Sequence, residues 1–190
     1  MTSYTLTGTT GNDTLNAPGS TVSLVQGLEG ADTITLADAN DVAEAGAGAD
    51  IITSSTASVV SHTVRAGGGN DTINLVGATL TSGISSGEDG DDLVFATAAR
   101  TIQNTTLYGG KGSDTISLFS GVASTVTNGF VAAGAGIDSI NLGTGTITTS
   151  TIKGGDGADT LALFQATVTS SSVSGNKGAD TIAVGVASAT

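Results

Sequence analysis

The sequence has no cysteine and no tryptophan, one proline and one histidine, and only four phenylalanines and two tyrosines among its 190 residues. Without cysteine there are no disulfides and no thiolate metal ligands, and the lone His62 excludes a zinc site made of several imidazoles. An aromatic content of 3% removes large buried rings as the main source of stability. Basic residues are scarce too: five Lys and Arg stand against 17 Asp and Glu, for a net charge of −12. Such a chain repels nucleic acid and anionic lipid and draws cations. No stretch approaches the roughly 20 apolar residues needed to span a bilayer, so no membrane insertion is expected. The opening MTSYTLTGTTGND lacks the basic and apolar regions of a secretory signal, which points to export by another route.

Glycine is plentiful, with 29 residues, and it recurs in register. Nine copies of an eight-residue pattern run along the chain: GTTGNDTL at 8–15, GLEGADTI at 27–34, AGAGADII at 45–52, AGGGNDTI at 66–73, GEDGDDLV at 87–94, GGKGSDTI at 109–116, AGAGIDSI at 133–140, GGDGADTL at 154–161 and GNKGADTI at 175–182. Position 4 is Gly in every copy. Position 6 is always aspartate: Asp13, Asp32, Asp50, Asp71, Asp92, Asp114, Asp138, Asp159 and Asp180. Position 8 is always a branched aliphatic, from Leu15 to Ile182.

Successive aspartates lie 19, 18, 21, 21, 22, 24, 21 and 21 residues apart. That is too short for helix-pair repeats and suits one coil of a β-solenoid. The expected fold is an all-β, right-handed parallel β-solenoid of about nine coils of 18–24 residues, a single domain over 1–190. Each coil reads as a loop, a strand, a second bend and a return strand. Position 8, often with position 10 (Leu36, Leu75, Leu118, Leu142, Leu163, Val184), points inward. Leu6, Val25, Val64, Leu107, Val131, Ile152 and Val173 do the same on the return strand, two residues before the next loop. The second bend varies in length: NAPGS at 16–20, ADAND at 37–41, SSTAS at 54–58 and FSGVAS at 119–124. In the fifth copy Ser85 falls at an inward position, and a bulge that turns Ile84 inward is expected there.

Glycines at positions 1, 2 and 4 let carbonyl oxygens turn toward one point, and position 6 adds a carboxylate. Ca²⁺ prefers six to eight such hard donors, more than one loop supplies, so two stacked loops must share each ion. Stacking at about 4.8 Å also sets the aspartates in a file, where each adjacent pair repels by about 0.9 kcal/mol even in water's dielectric. Cations between the coils would turn that repulsion into attraction and link binding to folding. The loops resemble the GGxGxDxUx nonapeptides of the RTX, or hemolysin-type, calcium-binding family, nearly throughout the chain. The resemblance implies that the nine aspartates, with backbone carbonyls of the loops, hold calcium, and that export is by a type I system with no cleaved N-terminal signal. Family β-rolls set the nonapeptides in tandem, with calcium on both edges. Here only one loop per coil fits, so a single row is expected, about eight ions within the chain and one more at a subunit junction.

His62, in a polar bend without partner ligands, reads as a surface residue. Arg65, Arg100, Lys111, Lys153 and Lys177 are scattered and read as aids to solubility, and Glu88, Asp89, Asp91 and Asp92 as a solvated acidic patch. No GxSxG motif and no base poised beside a hydroxyl is present, so no catalytic residue is assigned and no enzyme is expected. Both ends look uncapped, which favours a secreted or cell-surface structural protein that stacks head to tail into an extracellular filament or surface layer. An adhesin or other binding module, or an accessory module of a larger secreted enzyme, is the alternative. On the loop face position 3 is irregular and position 5 is Asn only at Asn12 and Asn70, so that face has no Thr or Asn file and ice binding is not expected.

Overall fold

Each Gly-x-Asp loop is followed by a strand whose inward side is aliphatic, and this repetition builds the molecule. The computed structural model describes residues 3–19, 22–54, 58–76, 79–96, 101–118, 124–164 and 166–185. All strand pairing is parallel, between one coil and the next, in a right-handed parallel β-solenoid with no helix among the described residues. Parallel crossovers are right-handed because of the natural strand twist.

One sheet of nine strands, from Thr14–Asn16 to Thr181–Gly185, follows the loops. In it Leu15, Ile34, Ile52, Ile73, Val94, Ile116, Ile140, Leu161 and Ile182 stand in one register. A second nine-stranded sheet, from Ser3–Thr7 to Ser172–Lys177, leads into the loops. Its inward ladder is Leu6, Val25, Ala43, Val64, Ser85, Leu107, Val131, Ile152 and Val173. Both expected ladders are therefore present. The bulge expected at copy five is not: Ser85 is buried and paired with Val64 and Leu107, while Ile84 faces solvent. Register with two flanking strands outweighs the burial of one isoleucine, because a slip would turn the whole strand inside out.

The second bend holds more than a bend. From the third coil on it contains a short strand, and six of these form a third sheet: Ser58–Val60, Thr79–Thr81, Thr101–Gln103, Ser124–Thr127, Gly145–Thr148 and Ala166–Thr169. Its inward residues Leu80, Ile102, Val126 and Ile147 are buried and close the core on its third side. Parts of the bends expected at 16–20, 54–58 and 119–124, and Arg100, lie outside the described residues.

The corner that enters the return strand is made by Asn40, Ser61, Ser82, Asn104, Asn128, Thr149 and Ser170, one in each coil from the second to the eighth, all at positive φ of 48–67°. Asn tolerates this left-handed turn better than β-branched residues do. The next residue in each coil points inward, and in the third coil it is His62. His62 is buried, 2% exposed, with Nε2 against the Asp38 carbonyl. The surface position expected for it is wrong, since corner register turns it inward beside the buried Asp41, whose carboxylate accepts the Ser23 and Asp38 N–H groups at 2.8 and 3.0 Å. Burial pushes the His62 pKa down, against the pull of the Asp38 carbonyl and the Asp41 and Asp38 carboxylates.

Candidate metal centre: the aspartate file

The loops are locked to one another by backbone bonds on both sides of the aspartate. The position-4 N–H donates to the position-3 carbonyl of the following coil, as from Gly48 to Gly68 at 2.7 Å, and the position-7 N–H donates to the position-6 carbonyl of the preceding coil, as from Thr72 to Asp50 at 2.8 Å. Position 4 needs glycine for two reasons. Gly136 has φ of 148°, and a Cβ there would stand 1.8 Å from the Gly112 carbonyl oxygen below it. At position 2, where Thr9, Leu28, Glu88 and Asn176 replace glycine, the same turn is kept at Leu28, Glu88 and Asn176 with φ of 87°, 82° and 73°, but not at Thr9 on the first coil. The loop geometry thus survives those three substitutions, as backbone strain.

All nine predicted aspartates come together in a single file on this corner. In each from Asp32 to Asp180, Oδ1 accepts the backbone N–H of the aspartate one coil earlier, at 2.7–3.0 Å. The second oxygen is different. Oδ2 of Asp32, Asp50, Asp71, Asp92, Asp114, Asp138 and Asp159 is buried and meets no donor of the protein. Asp13 Oδ2 on the first coil accepts the Thr9 N–H and hydroxyl instead.

A buried carboxylate oxygen without a donor is costly, and here another oxygen is aimed at the same place. In the sheet that enters the loops, position 1 is skipped in the pairing register, as between Ser86↔Tyr108 and Glu88↔Gly110, so its carbonyl turns away from the ladder. The point where a Cβ on Gly27 would lie is 2.2 Å from both Asp32 Oδ2 and the Ala45 carbonyl oxygen of the next coil. The corresponding point at Gly109 is 2.4 Å from Asp114 Oδ2 and 2.5 Å from the Ala133 oxygen, and at Gly8 it is 2.7 Å from both Asp13 Oδ2 and the Gly27 oxygen. Two oxygens converging with no hydrogen between them suit a hard cation, which takes carboxylate and carbonyl donors together. Among the described residues no three acidic or histidine side chains cluster, so a cation held here would take its further donors from the backbone.

The electrostatics agree. Asp71 and Asp114 are pushed up to about 7, first by loss of solvent and further by neighbouring carboxylates, against the N–H bonds from Asp50 and Asp92. Burial likewise raises Asp50, Asp92 and Asp138. A bound divalent ion would reverse this balance and hold the file ionised.

The acidic patch around copy five is shared out rather than merely solvated. Asp92 belongs to the file, Asp89 pairs with Lys111 at 2.7 Å, and Asp91 Oδ1 accepts the Ser113 N–H at 2.7 Å. Lys177 pairs with Asp156 and Arg65 with Glu44 across coils, so three of the basic residues described as scattered are coil-to-coil partners.

Among models of protein families, that of the RTX calcium-binding nonapeptide repeat matches residues 5–17, 24–55, 63–75, 101–121 and 147–162, in four copies. These segments make up half of the chain and contain Asp13, Asp32, Asp50, Asp71, Asp114 and Asp159. Asp92, Asp138 and Asp180 fall outside them, yet occupy the same file with the same Oδ1 bond. No curated protein and no solved structure matches the chain. With the repeats matched and their aspartates set in one file with converging carbonyls, the chain belongs to the RTX calcium-binding nonapeptide repeat family.

Proposed function

We propose that this is a calcium-dependent structural protein, acting outside the cell, whose coils stack head to tail on further copies to form a filament or surface layer, and that it is not an enzyme. RTX repeats are typical of type I secreted extracellular proteins, and the fold is a structural and binding one. The observation that carries the reading is the last described coil. Ile182 and Val184 are 43% and 55% exposed although they continue the ladders of Leu161 and Leu163, both at 0%. In a solenoid such apolar edges are covered by the next layer, and the first coil of a second copy would supply one.

Two nine-stranded sheets run from the first coil to the last, so the first coil of a second copy extends both. A junction of this kind sets Asp180 of one copy against Asp13 of the next. Calcium would lie between each pair of coils, eight positions within the chain and a ninth at the junction. The contact is heterologous and does not need to close.

Titrating Ca²⁺ into chelator-treated protein, followed by circular dichroism, light scattering and electron microscopy, tests both halves. Strand signal and long particles appearing together are the expected result. Folded monomers that persist in excess calcium would overturn assembly. The second reading, a calcium-folded binding module, is favoured by one observation, the composition of the third sheet's outer face.

A further inference from the structure

The third sheet presents a regular outer surface that neither the metal file nor the stacking ends use. Its last five strands each place one aliphatic inward between two outward residues. The outward pairs are Thr79 and Thr81, Thr101 and Gln103, Thr125 and Thr127, Thr146 and Thr148, and Thr167 and Thr169. Nine of these ten positions are threonine. All ten are partly or fully exposed. The register is unbroken, with Thr79, Thr101, Thr125, Thr146 and Thr167 directly in line from coil to coil.

The other two faces differ. The sheet that follows the loops has its threonine file broken by Ile51, Leu93 and Phe95, and the sheet that enters them carries Glu44, Arg65 and Lys153. In a chain of net charge −12, the third face has no ionisable side chain among its described residues. A neutral array of this kind matches a neutral partner, and neither ions nor charged polymers.

We infer that the Thr-x-Thr face of the third sheet binds the surface of ice, holding ordered water on its two hydroxyl-and-methyl files. Adjacent strands repeat at about 4.8 Å, and alternate residues along a strand at about 6.6 Å. Water bonded tetrahedrally at about 2.8 Å between oxygens repeats at about 4.5 Å and about 7.4 Å. The mismatch across strands accumulates to about 1.2 Å over the five, well under half a repeat, so the hydroxyls stay near lattice positions throughout. Threonine is stiff at χ1, so its hydroxyl and methyl are already placed and little freedom is lost on binding. The N–H to Oδ1 bonds of the aspartate file fix the opposite corner of each coil and thereby the coil spacing on which the match depends. The ice reading dismissed for the loop face thus applies to a different face, one built by strands that the sequence pattern did not resolve.

The test is thermal hysteresis, the gap between melting and growth of a seed crystal, measured on the calcium-loaded chain. It is accompanied by partition of a fluorescently labelled sample into slowly growing ice. The intact protein should open a gap and enter the ice. Thr125→Tyr and Thr146→Tyr, exposed in the middle of the face, should reduce both severalfold, whereas Thr160→Tyr on the sheet that follows the loops should change neither. Thr146→Val, which keeps the shape, serves as a milder variant, and circular dichroism in calcium checks that each is folded. No hysteresis from the folded parent, equal effects of the two faces' variants, or retention on crystalline polysaccharide without entry into ice would each overturn the inference.

Discussion

The first two coils and the later ones solve the same problem with different amounts of chain. From Asp32 to Asp50 there are 18 residues, and residues 37–41 turn directly from Thr33–Leu36 into Val42–Ala47. From Asp50 to Asp71 there are 21, and the added length holds Ser58–Val60, the first strand of the third sheet. Three residues therefore create a face. The aspartate corner does not register the change: the Asp13 N–H to Asp32 bond in the two-sided part and the Asp114 N–H to Asp138 bond in the three-sided part are both 2.8 Å. One corner is constrained by backbone contact and charge, which leaves the opposite side free to vary in length and purpose.

The largest test of that constraint is at position 4. Gly136→Ala sets a methyl 1.8 Å from the Gly112 carbonyl in the three-sided part, and should cost more than about 3 kcal/mol, read as a fall in the urea midpoint of the calcium-loaded protein. Gly30→Ala, where the nearest atom is 2.6 Å away, should cost less, about 1–3 kcal/mol. Next comes the third side. Ile147→Ala removes a fully buried side chain, at a cost of about 2–5 kcal/mol. Hydrogen exchange should quicken in the coils around Ile147 and stay unchanged near Asp32, because coils touch only their neighbours.

A smaller and reversible effect concerns protons. Asp71 and Asp114 are raised in the fold from 3.8 to about 7, so without calcium the folded chain holds more protons than the unfolded one in that interval. Their contribution is fully present below 3.8 and is lost as pH rises through about 7. Calcium-free protein should therefore hold more strand signal at about pH 5 than at about pH 8, and calcium should remove the difference and release protons. The smallest effect is at the surface: Lys111→Ala breaks an exposed pair with Asp89 and should shift the midpoint by less than about 1 kcal/mol.

The loops, the aspartate file and two of the three ladders were legible in the sequence because each repeats a residue type at a fixed offset from Gly and Asp. The third sheet was not. Its strands are three or four residues long with one inward aliphatic each, too short for alternation to stand out, and their distance from the loop drifts with coil length. His62 was misread because its corner has no fixed chemistry; Asp41, His62, Gly83, Thr105, Gly129, Ser150 and Ser171 occupy it in turn. Ser85 was misread because a single polar residue in an aliphatic row suggests a shift that neighbouring strands do not permit.

The bonds that join one coil to the next run along the length of the rod, and this gives it a particular mechanics. Tension on the two ends loads the coils in series, so they yield one at a time and not together. The two-sided end, with fewer bonds per coil, is the weaker link, and each coil that opens releases 18–24 residues of slack, roughly 60–85 Å of extended chain. Ions held between coils would raise the force of each step, so the give of a loaded rod would be graded by the calcium around it.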